Sequence, residues 1–165
     1  MNILIIGHAR HGKDTFAELL NEYHGTTFLS SSIAASEIFL YDKLKDKYDY
    51  SSPEECFKDR VNHRDEWYQE ICDYNLYDKA RLAKDILNRV DCYVGMRDNL
   101  EFQSCKEQGI FDLVIWVDAS DRLPLEPETS FNIRKAEADI IVDNNSTLDN
   151  LKMKANRIGR ILKSV

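Results

Sequence analysis

The hydrophobic pattern of residues 1–25 changes twice, and this change limits the fold more than any other feature of the sequence. The segment from Asn2 to Ile6 is dominated by isoleucine and leucine, which is typical of a strand buried on both faces of a parallel sheet. Residues 7–13 interrupt this run with two glycines. From Asp14 onward, apolar side chains recur at helical spacing, at Phe16, Leu19, Leu20 and Tyr23. The segment therefore predicts a buried strand, a glycine loop and an amphipathic helix.

The rest of the sequence alternates between strand patterns and helix patterns. Short apolar runs predict four more strands, at residues 26–29, 92–94, 113–117 and 138–142. Helical spacing predicts helices over residues 33–47, 64–74, 78–89, 101–108 and 148–162. Residues 121–131 have no periodicity and are predicted to form a loop. Because strands separated by helices favour crossover connections, we expect an α/β fold of three layers, in which helices cover both faces of a mostly parallel five-stranded sheet.

Length and composition indicate one globular domain over residues 1–165, with 43% hydrophobic and 31% charged residues. A net charge of −7 argues against a large basic face for duplex nucleic acid, although it permits a local basic cleft. The four cysteines include no CxxC pair, so we expect reduced thiols. No stretch is apolar enough to span a bilayer, and the N-terminus is unlike a signal peptide. We therefore expect no membrane partner and a cytoplasmic location.

Residues 7–13 fit the pattern G-x-x-x-x-G-K, the sequence signature of a phosphate-binding loop (P-loop). In such a loop, backbone N–H groups and the first turn of the next helix bind phosphate oxygens, and glycine permits the close approach. Lys13 would place a cation on the β- and γ-phosphates of ATP. A glycine-rich turn with a solvated lysine is the alternative. The predicted phosphate-binding residues are Gly7, Arg10, His11, Gly12, Lys13, Asp14 and Thr15, with no chemistry assigned to the imidazole rings.

Position 14 departs from the usual motif, which has serine or threonine there to bind Mg²⁺. Asp14 could hold Mg²⁺ directly or through water. It could instead act as an anion that stabilises the N-terminus of the helix. Thr15 could then supply a hydroxyl group near the phosphates. We expect a Mg²⁺ site at Asp14 and Thr15, and we keep both roles of Asp14 open.

Four segments of the sequence together resemble one family of enzymes. They are residues 12–15 (Gly-Lys-Asp-Thr), 93–98 (Tyr-Val-Gly-Met-Arg-Asp), 115–118 (Ile-Trp-Val-Asp, with Arg122 beyond) and 138–144 (Ala-Asp-Ile-Ile-Val-Asp-Asn). This combination resembles the bacteriophage deoxynucleoside monophosphate kinases, which belong to the nucleoside monophosphate kinase group related to adenylate kinase. The four segments span nearly the whole chain, and only the first of them is specific by itself.

The resemblance implies an enzyme of three parts. A core would bind ATP, a helical insertion over about residues 30–90 would bind the acceptor, and a short lid loop over about residues 119–134 would cover the site. Arginines suit this design because phosphoryl transfer spreads negative charge over three oxygens, although each arginine could also be a solvated surface residue. The resemblance places Arg60, Arg64, Arg97 and Asp98 on the acceptor side, Lys13, Arg97 and Arg122 among the catalytic cations, and Asn144 and Asn145 near the adenine. A turn that caps the next helix is an equally good interpretation of residues 143–145.

The implied reaction is Mg²⁺-dependent phosphoryl transfer from ATP to a (deoxy)nucleoside monophosphate. A second hypothesis changes the acceptor to a hydroxymethylated pyrimidine in DNA, for which Asp98 would be the base. A third hypothesis is a nucleotide-binding regulator with little turnover, because residues 121–131 carry one arginine and three acidic residues. The base and sugar of the acceptor stay open, and a homodimer is one option for the assembly. For a viral protein, the expected location is the host cytoplasm.

Overall fold

A computed structural model describes residues 1–164 of the chain. Its strands are β1 (Ile3–Ile6), β2 (Phe28–Ser30), β3 (Cys92–Val94), β4 (Leu113–Asp118) and β5 (Ile140–Asp143). Its α-helices are α1 (Lys13–His24), α2 (Ser31–Ala35), α3 (Tyr41–Tyr48), α4 (Pro53–Asp59), α5 (Arg64–Tyr74), α6 (Arg81–Leu87), α7 (Asn99–Glu107) and α8 (Leu148–Lys163). A π-helical turn (Ser36–Leu40) joins α2 to α3, and 3₁₀ turns lie at Arg60–Asn62 and Lys135–Glu137.

The five strands form one sheet in the order β2-β3-β1-β4-β5, and every pair of neighbours is parallel. The first strand lies at the centre, where Ile3 is paired with Cys92 on one side and Leu113 on the other. Because all strands run in one direction, their carboxyl ends meet at one edge, which is where ligands bind in open parallel sheets. The predicted three-layer α/β fold is confirmed, and the sheet is parallel throughout.

The two faces of the sheet have separate apolar cores. Ile3 and Ile5 point to the face covered by α1 and α8, where they join Phe16 and Leu151. The alternate residues of β1, Leu4 and Ile6, point to the other face. There they join side chains of β4, α6 and α7: Trp116, Leu82, Ile86 and Phe102. All of these side chains are buried. Burial of β1 on both faces explains its uninterrupted apolar sequence.

The helices α2–α6 lie between β2 and β3 and include a third apolar core of their own, with Leu40, Leu44, Cys56 and Trp67. The predicted helix over residues 33–47 is present, but it contains the π-helical turn. The predicted helix over residues 78–89 begins later, at Arg81, because the Asp78 carboxylate accepts the Ala80 N–H in a turn before the helix. The helix predicted over residues 64–74 has the bounds of α5.

Two further predictions concern the oxidation state of the cysteines and membrane-spanning segments. All four cysteines are free thiols, and three of them are buried. Within residues 1–164, no helix combines the length and the apolar character needed to cross a membrane.

Candidate active site

The loop between β1 and α1 has a backbone that only glycine can adopt at two positions. Gly7 has φ of 144°, and a Cβ atom there would lie 2.3 Å from the carbonyl oxygen of Val117 on β4. Gly12 has φ of 98°, and a Cβ atom would lie 2.4 Å from Nδ2 of Asn144. Helix α1 begins directly after it, at Lys13. The loop therefore lies against β4 and directs the N-terminus of a helix to the carboxyl edge of the sheet, as phosphate binding requires.

The side chain of Lys13 is held close to this loop. Its Nζ donates a hydrogen bond to the His8 carbonyl oxygen at 3.0 Å, and only 8% of the residue is exposed. Burial lowers the pKa of Lys13, and the neighbouring carboxylate of Asp14 acts in the opposite direction. The ammonium group thus bridges the start of the loop and the start of α1.

His11 and Asn144 hold the phosphate-binding loop through hydrogen bonds. Nδ1 of the fully buried His11 accepts the Ala119 N–H at 3.0 Å, so Nε2 carries the proton and donates to the Pro124 carbonyl at 3.1 Å. Nδ2 of Asn144 donates to the His11 carbonyl at 2.9 Å. Both side chains are therefore used to hold the loop. That Asn144 lies near the adenine stays a prediction; in the structure its amide contacts the phosphate-binding loop.

Three cationic side chains line one cleft of about 590 Å³ beside α1: Lys13, Arg60 and Arg97. Arg60 comes from the 3₁₀ turn after α4, where its guanidinium lies 3.8 Å from the centre of the Phe57 ring and donates to the Phe57 carbonyl. Burial lowers the pKa of Arg60, and the charge of Arg64 adds to this effect. The acidic residues Asp14 and Glu18 also line this cleft. The cleft therefore gathers positive charge from three separate elements next to the loop.

A second cavity of about 570 Å³ adjoins the first, and Arg97 lines both. Arg64 and Asp98 line the second cavity together with Tyr68. The Asp98 carboxylate also caps α7, because it accepts the backbone N–H of Glu101 at 3.1 Å. The four residues predicted for the acceptor side are thus distributed over two adjoining spaces that meet at Arg97.

Glu101 is a buried acid in the wall of the second cavity, which the sequence analysis did not single out. Burial raises the pKa of Glu101 to about 8, and a hydrogen bond donated by the Tyr93 hydroxyl at 3.2 Å opposes this rise. Its carboxyl group is therefore largely neutral at pH 7 and can both donate and accept a hydrogen bond. The available signal was its place in the first turn of α7, three residues after the capping Asp98.

Glu126 is the second acid that the sequence analysis missed, since it was counted only among the acidic residues of the lid loop. One carboxylate oxygen accepts the Ala9 N–H of the phosphate-binding loop at 2.6 Å. The other accepts a hydrogen bond from Nη1 of Arg97. The loop before β5 therefore places an anion between the phosphate-binding loop and the arginine shared by the two cavities.

Arg122 and Asn145 connect the start of the lid loop to the end of β5. Nε of Arg122 donates to the Asn144 carbonyl at 2.8 Å. The side-chain oxygen of Asn145 accepts the Asp121 N–H at 2.9 Å. Arg122 therefore lies beside the end of β5, whereas Arg97 lines the cleft next to Lys13.

The residues predicted to bind Mg²⁺ lie in the first turn of α1, where Asp14 is exposed and Thr15 half-buried. Within residues 1–164, no group of three or more His, Cys, Asp or Glu side chains is arranged to hold a metal ion. A Mg²⁺ ion at Asp14 and Thr15 would therefore take its remaining ligands from phosphate oxygens and water, as Mg²⁺ commonly does in kinases.

Comparison with known proteins gives similar folds and no sequence relatives. No protein-family model and no curated protein matches the sequence. The crystal structure of shikimate kinase from Aquifex aeolicus VF5 superposes with a TM-score of 0.51 at 12% identity, covering 100% of this chain and 99% of that chain. A sugar kinase from Janibacter sp. HTCC2649 has a TM-score of 0.43 at 12% identity, with 93% and 91% covered. With the parallel sheet and the loop geometry, the first of these shows that the chain has the fold of a P-loop kinase.

Proposed function

We propose that this protein transfers the γ-phosphoryl group of ATP to a small phosphorylated acceptor. The observation that carries the proposal is the convergence of Lys13, Arg60 and Arg97 on one cleft at the N-terminus of α1. The three cations outnumber the two acids of the cleft lining, Asp14 and Glu18, and this excess of positive charge suits an anionic ligand. Phosphoryl transfer needs this arrangement because catalysis consists largely of positioning and of stabilising charge on the transferred group.

The acceptor we propose is a (deoxy)nucleoside monophosphate. Its phosphate would lie between Arg60 and Arg97 in the first cleft, and its nucleoside would extend into the second cavity. There the neutral carboxyl of Glu101 offers a donor and an acceptor to the edge of a base. The resemblance to the phage deoxynucleoside monophosphate kinases supports the same acceptor. Its phosphate is already an anion, so the reaction needs no general base.

Each residue of the site would have a separate part in the transfer. The N–H groups at the start of α1 would hold the β-phosphate, and Lys13 would neutralise charge on the β- and γ-phosphates. Arg97, at the junction of the two cavities, would contact the transferred group and the acceptor phosphate. Mg²⁺ at Asp14 and Thr15, when bound, would supply further positive charge to the phosphate oxygens. Arg122 would reach the phosphates after its bond to the Asn144 carbonyl breaks.

A hydroxyl acceptor, such as a hydroxymethylated pyrimidine in DNA, is a second candidate. The observation that favours it is the position of Asp98 in the same cavity as Arg97. A carboxylate there could take the proton from an attacking hydroxyl group. Its bond to the Glu101 N–H leaves the second carboxylate oxygen for that role.

The test is a coupled assay of ADP release with ATP and Mg²⁺, run over the ribo- and deoxynucleoside monophosphates, including 5-hydroxymethyl-dUMP. Wild-type protein and Lys13→Ala are assayed in parallel, so that turnover by a contaminating kinase is recognised. Turnover with one or more monophosphates that Lys13→Ala abolishes supports the proposal. If no monophosphate is turned over but hydroxymethylated DNA is, the result favours the hydroxyl acceptor. ATP binding without any turnover would favour a regulator and contradict both kinase assignments.

A further inference from the structure

The carboxylate of Glu126 lies among the groups that would bind phosphate. It accepts the Ala9 N–H of the phosphate-binding loop and a hydrogen bond from Arg97. The charge of Lys13 is also close enough to act on it. Burial raises the pKa of Glu126, but Arg97, Ala9 and Lys13 together lower it below its usual value, so the group is a carboxylate at neutral pH.

The segment that carries Glu126 is fastened to the same loop by backbone contacts. The Glu126 N–H donates to Nδ1 of His8 at 3.0 Å, and the Pro124 carbonyl accepts a hydrogen bond from Nε2 of His11. Burial lowers the pKa of His8, which keeps its Nδ1 free to accept. These contacts hold the Glu126 side chain in place over the loop.

A carboxylate and a phosphate use the same partners in this site. Both are anions that accept hydrogen bonds from backbone N–H groups and guanidinium groups. Since two anions in contact repel each other, Glu126 and a phosphate group cannot both bind Ala9 N–H and Arg97 at full strength. The arrangement therefore makes Glu126 a competitor for phosphate within the same molecule.

We propose that Glu126 occupies part of the phosphate site when no ligand is bound and is displaced by the phosphates of the nucleotide, so that it sets the affinity of the site for phosphate. This inference rests on the proposed function, because it takes the loop and Arg97 to be phosphate ligands. On displacement, Arg97 exchanges one anion for another and remains paired. Glu126 thereby keeps the half-exposed Arg97 beside the loop until a phosphate arrives.

The test measures the binding of inorganic pyrophosphate by calorimetry at constant Mg²⁺, because this probe contains the phosphates and lacks the base and sugar. Glu126→Gln keeps the shape of the side chain and removes its charge, and Glu126→Ala removes the group. Asp121→Asn is the matched control, since Asp121 is an exposed acid in the same loop. Lys13→Ala tests the phosphate site itself.

We expect both Glu126 variants to bind pyrophosphate roughly 5- to 30-fold more tightly than wild type, the effect of losing one charge-assisted contact. Asp121→Asn should bind as wild type does. In contrast, the melting temperature of the ligand-free Glu126 variants should fall by about 2–4 °C. A residue with a merely structural role would lower the melting temperature without tightening pyrophosphate binding.

Unchanged or weaker binding in both Glu126 variants would overturn this inference. If Lys13→Ala weakens pyrophosphate binding in the same experiment, the phosphate site stands and only the role of Glu126 is wrong. If neither wild type nor the Glu126 variants bind pyrophosphate, the proposed function and the inference are both wrong. Binding that appears only in the Glu126 variants would support the inference in its strongest form.

Discussion

The two sides of the cleft are built in different ways. On the proposed nucleotide side, the loop is held by the buried side chains of His11 and Asn144. On the proposed acceptor side, Arg60 comes from the 3₁₀ turn between α4 and α5, and the exposed Arg64 begins α5. The difference indicates that the proposed phosphate-binding loop is preorganised, whereas the exposed Arg64 would become ordered only when a ligand binds. Variants on the two sides should therefore fail in different ways.

The most severe test of the nucleotide side is Lys13→Ala. Because the loop glycines and backbone remain, the fold should be unchanged while phosphoryl transfer falls on the order of 10³-fold. The measurement is ADP release, with circular dichroism to check the fold. Lys43→Ala, which alters an exposed lysine paired with Glu70 on α5, should retain normal activity. Near-normal phosphoryl transfer by Lys13→Ala would contradict the assignment of residues 7–13 as a phosphate-binding loop.

On the acceptor side, Arg97→Ala should reduce kcat/KM for the acceptor by about 10²-fold, because it removes the cation shared by both cavities. Arg81→Ala is the matched control. The guanidinium of Arg81 lies 3.9 Å from the centre of the Tyr74 ring, and its loss should change kcat/KM by less than about twofold. Equal losses in the two variants would contradict the position of the acceptor.

Preorganisation itself is tested by Asn144→Ala. This change leaves the His11 carbonyl without its donor, so the loop should lose its fixed shape and bind ATP roughly 10- to 30-fold more weakly. Asn88→Ala, at an exposed position after α6, is the control. The affinities are compared by calorimetry. An unchanged ATP affinity would show that the nucleotide side does not depend on this contact, and the contrast between the two sides would weaken.

The last prediction concerns stability. Between the ordinary pKa of a glutamate, 4.5, and the folded value of about 8, the folded state holds a proton on Glu101 that the unfolded state has lost. Stability should therefore fall as pH rises through this range, by up to about 1.4 kcal/mol per pH unit. Glu101→Gln should flatten that slope in urea unfolding at several pH values, and the exposed Glu107→Gln should not. Equal slopes in wild type and Glu101→Gln would show that Glu101 is ionised.

What the sequence predicts correctly is local. The G-x-x-x-x-G-K pattern lies wholly within residues 7–13. The apolar patterns that predict β1, β3 and α5 likewise lie within the segments that form these elements. The predicted and observed ends of a helix differ where a turn replaces the first predicted helical residues, as at Asp78 before α6. Hydrophobic periodicity reports which face of an element is buried, and this is enough to derive the layers and the parallel sheet.

The missed parts of the site depend on distant contacts. Ala9 and Glu126 are 117 positions apart, and His11 and Asn144 are 133 positions apart. Glu126 lies in a loop without periodicity, so its sequence context cannot indicate which element it meets. Glu101 was equally hidden, because a glutamate in the first turn of a helix is common at exposed positions. The resemblance to a kinase family indicated the arginines, and it did not indicate these two acids.

The register of the sheet has a consequence for synthesis of the chain. The central strand, β1, is made before both of its neighbours in the sheet, because its partners at Cys92 and Leu113 come much later in the chain. At about 5–20 residues per second, β1 waits several seconds with both of its edges unpaired. Nascent chains that stall before residue 113 would therefore present an isoleucine-rich strand edge to chaperones or to one another, and completion of β4 ends that exposure.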